Sequence, residues 1–322
     1  MKYHRYIFKY ILWLTTLALF ACSAGPADKP QADSFSSPAK LLDNGIHHYN
    51  NNNYPKAIND FEKALLQYRS IDNQQGIAKS CLNLAKTYMA MNNNQTAAEY
   101  LLIASRVIKQ ATLNELNEHL HLLNSSLAIN KTLYDSALQE LQPVLNSKNT
   151  STQLAALKNR SRIAFIKNDS DKQQWLEKYK TLQQKHPENT SSHLARILRF
   201  EAELSDNEKD KIELLTQSLA ISRSLADRTA IAANLRQWAN VDIKAKRYLD
   251  AEDKYIRALF IRHQLGDVRN SLIILQQLQV VYAATNNNKQ IRAESWINKL
   301  SKQNPGNWQH LFSDFENYPT AP

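Results

Sequence analysis

The side chains in this sequence that could do chemistry are histidines and cysteines, and their spacing argues against most of it. His47-His48 and His119-x-His121 are the histidine clusters. On a helix, residues one or two apart point about 100° or 200° away from each other, so neither pair shares a face as the i, i+4 ligands of a zinc helix do. The five glycines are all isolated, which leaves no phosphate-cradling loop and no Gly-x-Ser-x-Gly elbow. Cys81 precedes Leu84, Ala85 and Tyr88 at helical spacing and reads as a small buried hydrophobe. Trp175, Trp238 and Trp296 fall in helical stretches and read as core rather than as ligand platforms. No catalytic residue, metal ligand or cofactor is expected, and the chain reads as a non-enzyme.

The elements behind these residues are helical. Between Lys56 and Asn304 the only prolines are Pro143 and Pro187, so little interrupts a helix over that span. Length alone would suggest two domains, but a solenoid grows by adding units rather than by enlarging one core. The chain carries 40 basic and 30 acidic residues, a net charge of +10. With two cysteines, one of them argued below to be acylated, no internal disulfide is expected and packing alone must hold the fold.

Residues 1–21 place Lys2, Arg5 and Lys9 before a mostly apolar run from Tyr10 to Phe20, too short to span a bilayer and of signal-peptide length. Leu19-Phe20-Ala21-Cys22 resembles the bacterial lipobox, whose cysteine is acylated and becomes the mature N-terminus. That resemblance implies a cell-envelope lipoprotein with Cys22 as the lipidation site. Ser23 in the next position implies sorting to the outer membrane, facing the periplasm of a Gram-negative cell. Residues 22–37 hold Gly25, Pro26 and Pro30 with several Ser and Ala, lack apolar periodicity, and read as a flexible tether.

From 38 to 304 the chain repeats itself. The small or apolar position of Ala57 recurs at Ala97, Ala137, Ala251 and Ile291, with two degenerate units referenced at Trp175 and Lys211. The unit starts are then Pro38, Ala78, Glu118, Ala156, Ser192, Ala232 and Leu272. Asparagine-rich turns at 50–53, 92–94 and 286–288 precede the reference position, and a second class recurs after it at Asp72-Asn73, Ala226-Asp227 and Gly266-Asp267. Leu41, Gly45, Tyr54, Ala57, Phe61 and Ala64 of the first unit resemble the tetratricopeptide repeat, as do Leu235, Ala239, Tyr248, Ala251, Tyr255 and Ala258 of the sixth. The resemblance implies an all-α solenoid of about seven helical hairpins. Its period here is near 40 rather than 34, and the added length is expected near the inter-unit turn. It also implies that the first helix of each unit lines a concave face. Carried over by position, the candidate groove residues are Lys79, Leu82, Lys86 and Met89 in unit two, with Arg236 and Asn240 in unit six.

Basic residues mixed with apolar ones suit an acidic peptide or a carboxylate. The expected function is a membrane-anchored scaffold that binds peptide segments or helices of a protein partner, with no small-molecule substrate. An export signal makes nucleic acid an unexpected partner. An intracellular regulatory repeat protein is the alternative. Residues 305–322 put Trp308, Leu311, Phe312 and Phe315 on one helical face with Asp314 and Glu316 and no Lys or Arg. Such a tail could cap the last unit, occupy the groove until a partner displaces it, or itself anchor a partner. Deleting residues 307–322 separates cap from plug: a cap predicts lost stability and aggregation, a plug predicts unchanged stability and tighter partner binding.

Overall fold

The computed structural model describes residues 37–187, 191–285 and 289–302. The signal segment 1–21, Cys22, the turn 286–288 and the tail 305–322 lie outside the described residues, as does the tether up to residue 36. The chain divides into two units between Ser37 and Pro38, and every helix named below belongs to the second. Among the described residues there is no strand, and fourteen α-helices follow one another. They are α1 (Pro38–Asn50), α2 (Tyr54–Ser70), α3 (Gln74–Ala90), α4 (Asn94–Gln110), α5 (Asn117–Asn130), α6 (Tyr134–Leu141) and α7 (Thr150–Lys167). The second half holds α8 (Lys172–Lys185), α9 (Ser191–Leu204), α10 (Glu208–Ser224), α11 (Arg228–Lys244), α12 (Tyr248–Gln264), α13 (Val268–Ala284) and α14 (Lys289–Lys302). They pack as seven consecutive hairpins, α1 on α2 through α13 on α14, and form an α-solenoid.

The turns set the period. Asn52, Asp72, Asn92, Thr112 and Thr132 take positive φ at every twentieth residue, and Ala226, Lys246 and Gly266 resume the series. In the first turn the Asn53 N–H donates to the His48 carbonyl and the Asn52 N–H to the Tyr49 carbonyl. This double closure of a helix C-terminus needs a left-handed residue between the two bonds. The residue after it starts the next helix: the side chains of Asn73, Asn93, Asp227 and Asp267 accept from backbone N–H groups of the first turns of α3, α4, α11 and α13. Three residues thus end one helix and cap the next. Helices α2, α3 and α4 are each 17 residues long, which with two such turns makes the forty-residue repeat. The first helices of units two, six and seven begin four residues before the expected unit starts, so the added length lies on the inter-unit side.

Packing follows helix position closely. The eighth residue of each second helix is buried: Phe61, Leu101, Leu141, Tyr179, Leu215, Tyr255 and Trp296. Three residues later comes a small side chain in four units, fully buried Ala64, Ala104, Ser218 and Ala258. Ser218 keeps the size of alanine and donates its hydroxyl to the Ala195 carbonyl at 2.6 Å. Close approach is also visible at Gly45, where an added Cβ would fall 2.4 Å from the Phe61 ring. Pro143, which has no N–H to donate, ends α6 at Leu141, and a 3-10 turn over Gln142–Val144 continues it.

Two expectations are corrected. Ile291 is not the small position of unit seven: it is 73% exposed, and α14 buries Ala293, Trp296 and Leu300 instead. Ile291 lies two residues, about 200°, from Ala293 and so faces away from the core. Of the described tryptophans only Trp296 is buried in the core, while Trp175 and Trp238 pack against its edge. Trp175 is half-buried between Arg160 and Lys178, and half-buried Trp238 lies under Lys254.

Ala97 and Ala251 are fully buried between helices, whereas Lys109 is exposed. Ala97→Leu or Ala251→Leu should therefore destabilise by about 1–3 kcal/mol in urea unfolding, and Lys109→Ala by far less.

Candidate functional site

The solenoid curls far enough for its early and late turns to meet. Asn52 Nδ2 donates to the Ala226 carbonyl at 3.1 Å, and Arg269 Nη1 donates to the Asn130 carbonyl at 2.7 Å. A Cβ on Gly266 would lie 3.8 Å from the Met91 carbonyl oxygen. These three approaches form a seam between units one to three and the turns that open units six and seven.

Inside the seam lies a cavity of about 490 Å³. The first helices of units two to seven all contribute to it: Met89 on α3, Ile129 on α5, Arg162 on α7, Arg196 on α9, Arg236 on α11 and Ile273 on α13. Arg199, Arg262 and Arg269 raise the arginine count to six, against two acidic side chains, Glu203 and Asp267. Asp267 is already engaged, accepting from Arg262 Nη1 at 2.9 Å while Arg262 Nη2 reaches the Thr229 carbonyl. Among the described residues no carboxylate lies within 4.0 Å of the guanidinium nitrogens of Arg162, Arg196, Arg199 or Arg236. Arg199 is 4% exposed and its Nε has no hydrogen-bond partner. A second cavity of about 610 Å³ shares Glu203, Arg236 and Gln237 with the first, and its lining sets Lys211, Arg236 and Lys244 against Glu203, Asp206 and Glu208, so the excess of cations is confined to the first cavity.

Burial and mutual repulsion act on these cations together. Burial, then Arg196 and other neighbouring arginines, lowers Arg162 to about 10. Arg199 is held well below the usual arginine range by burial, with Arg196 and Arg262 adding to it. Lys158, half-buried one turn before Arg162 on α7, is lowered to about 8 by burial and by Arg196, Arg162 and Lys86. His193 falls to about 4 through burial, Lys158 and Arg196, so it is neutral at physiological pH. Burial raises the Glu203 carboxyl despite four nearby cations. A site of this kind favours an anion, which would offset charges that the protein leaves uncompensated.

The candidate groove residues separate under this geometry. Met89 and Arg236 line the central cavity, and Asn240 lines the adjoining one while accepting the Tyr255 hydroxyl. Lys86 lies 4.3 Å over the Tyr49 ring, and its charge acts on Lys158 and His119. Lys79 is half-buried and lines neither cavity. Leu82 is a correction: it is fully buried in the core and has no surface to offer a partner, because its place on α3 faces the neighbouring helices. Arg162, Arg196, Arg199, Arg262 and Arg269 were missed, since groove positions were carried over only to units two and six. The fifth, ninth and twelfth offsets applied to unit five give Arg196, Phe200 and Glu203, and all three line the cavity. Elsewhere, His121 pairs with Glu140 at 2.7 Å, and no metal-binding group occurs among the described residues. Burial pushes the Cys81 thiol up to about 11, which keeps it protonated and unreactive.

A solved structure, that of a Rap protein complexed with competence and sporulation factor, is similar to this chain with a TM-score of 0.62. The likeness covers 82% of this chain and 75% of that one at 10% sequence identity. The fold is tetratricopeptide-like. No family model and no curated protein matches the chain.

Lys158 yields a test of the electrostatics. Its folded pKa is depressed to about 8, so between there and its unfolded value near 10.5 the unfolded state holds more protons and this group's contribution to stability rises with pH. Lys158→Met should be more stable than the parent at pH 7 by about 1–2 kcal/mol, after discounting for partial exposure. That advantage should shrink as pH rises from about 8 to 10. A constant difference across that range would place the strain elsewhere.

Proposed function

We propose that this chain is a lipid-anchored scaffold of the cell envelope that holds segments of partner proteins inside its superhelix. The observation that carries the binding part is the convergence of Arg162, Arg196, Arg199 and Arg236 on one cavity without a carboxylate to pair with them. A surface kept only for solubility would spread such charges apart in open water rather than gather them around one cavity. The similar Rap protein was solved in complex with competence and sporulation factor, and a partner-binding role accords with that likeness. The anchor part rests on Leu19-Phe20-Ala21-Cys22 and its resemblance to a lipobox, with Ser23 directing the protein to the periplasmic face of the outer membrane. Dual or triple acylation of one residue holds a protein to a bilayer where a single chain does not.

Two measurements test the two halves. Cells labelled with radioactive palmitate should incorporate label into the wild type and none into Cys22→Ala, which should also leave the membrane fraction. Absence of label in the wild type overturns the anchor and favours an intracellular regulator. Partner capture from detergent-solubilised envelope should be lost with Arg236→Glu and kept with Lys79→Glu, because only the first residue lines the cavity.

A further inference from the structure

The cavity has two unlike walls. Its cations come from α7, α9, α11, α12 and α13, in units four to seven. Facing them, units two and three supply Met89, Ala90, Ile129, Asn130 and Tyr134, with no charged side chain. The arms that carry these walls meet at the seam described above, so a ligand in the cavity touches both. On the cationic side Phe165 and Phe200 stack at 4.4 Å between ring centroids, flanked by Arg162, Arg196 and Arg199.

We propose that the interior takes an extended acidic segment of a partner polypeptide, with two or more carboxylates engaging Arg162, Arg196 and Arg236 and its apolar side chains lying on the wall of Met89, Ile129 and Tyr134. This deepens the scaffold reading and rests on it. Several observations select that ligand. Asp267 serves Arg262 and Glu203 is the other acidic group present, so the remaining guanidiniums call for more than one negative charge. Arginine presents a planar fork that matches a carboxylate bidentately, and among the described residues five of the six arginines, all but Arg262, are without an ion-pair partner. Arg199 Nε, buried and unpartnered, points to an acceptor supplied from outside the chain. A bare phosphate would use the cations and leave the apolar wall wet. Successive side chains of an extended segment point to opposite sides, so alternating acidic and apolar residues meet the cationic wall and the apolar wall in turn.

The test uses the mature full chain and a short fluorescein-labelled peptide alternating glutamate with leucine, compared with its glutamine counterpart and with inorganic pyrophosphate as competitor. The acidic peptide should bind at least about tenfold more tightly than the glutamine peptide, and added salt should weaken it. Arg196→Gln with Arg236→Gln should lower its affinity at least about tenfold while leaving helicity unchanged, since both side chains are half-exposed and removing them relieves repulsion on Arg199 and Arg262. Arg223→Gln, exposed on α10 and outside the cavity, should bind as the wild type does. Equal binding of the two peptides, or full binding by the double variant, overturns the proposal. Displacement of the peptide by pyrophosphate at far lower concentration than unlabelled peptide also overturns it, in favour of a phosphate site. If the acidic peptide binds as described but no envelope protein is captured, the scaffold reading alone fails. If a captured partner survives both the double variant and excess acidic peptide, this inference alone fails.

Discussion

A three-residue turn with a left-handed residue at its centre is the constraint on which the solenoid depends. It closes one helix by two backbone hydrogen bonds and offers the cap of the next, so the angle between successive helices is set locally. A residue with a Cβ costs about 1 kcal/mol in that conformation, yet Ala226, Lys246, Thr112 and Thr132 adopt it. Packing must therefore impose the geometry where the side chain does not favour it. Fully buried Ala57, Ala97 and Ala251 let the paired helices come close enough to supply that packing.

The same repetition that packs the helices also produces the electrostatics of the interior. Residues four or seven apart on a helix share a face, so Arg196, Phe200 and Glu203 on α9 all point into the cavity. When consecutive first helices each carry arginine at that face, the curvature of the solenoid gathers charges that are far apart in sequence. Water cannot fully solvate them there, and burial beside like charges lowers Lys158, Arg162 and Arg199 below their ordinary values. The repulsion is gathered around one cavity, where it works against stability rather than for it.

Most of the fold was legible in the sequence because its determinants are local. Alanine at a fixed offset, asparagine in the turns and the near absence of proline are each readable from a few neighbours. Units four and five read poorly for a physical reason: packing selects by size, and the pattern was sought by residue type. Ser218 replaces alanine and pairs its hydroxyl internally, and Tyr179 replaces phenylalanine with its hydroxyl 2.5 Å from His193 Nδ1. The cavity was legible only in part. Arg236 and Met89 could be placed by their offsets, but that six arginines converge depends on the curvature, which no single unit encodes. The register of unit seven failed because four residues rather than three separate α13 from α14, and a strict forty-residue period then lands on exposed Ile291.

The seam changes what kind of object this solenoid is. An open array of repeats behaves as a one-dimensional chain, in which each unit's stability depends on its immediate neighbours and folding can propagate from any point. Contacts from Asn52 to Ala226 and from Asn130 to Arg269 join positions 174 and 139 residues apart, which turns the chain into a loop. Loop closure over such separations carries an entropy penalty that local contacts do not repay, so the seam is the last part to form and the first to open. Native-state hydrogen exchange would then report two levels of protection, a high one within hairpins and a lower one at these turns. The lower level is also the route by which a chain segment could enter a cavity that the closed loop surrounds.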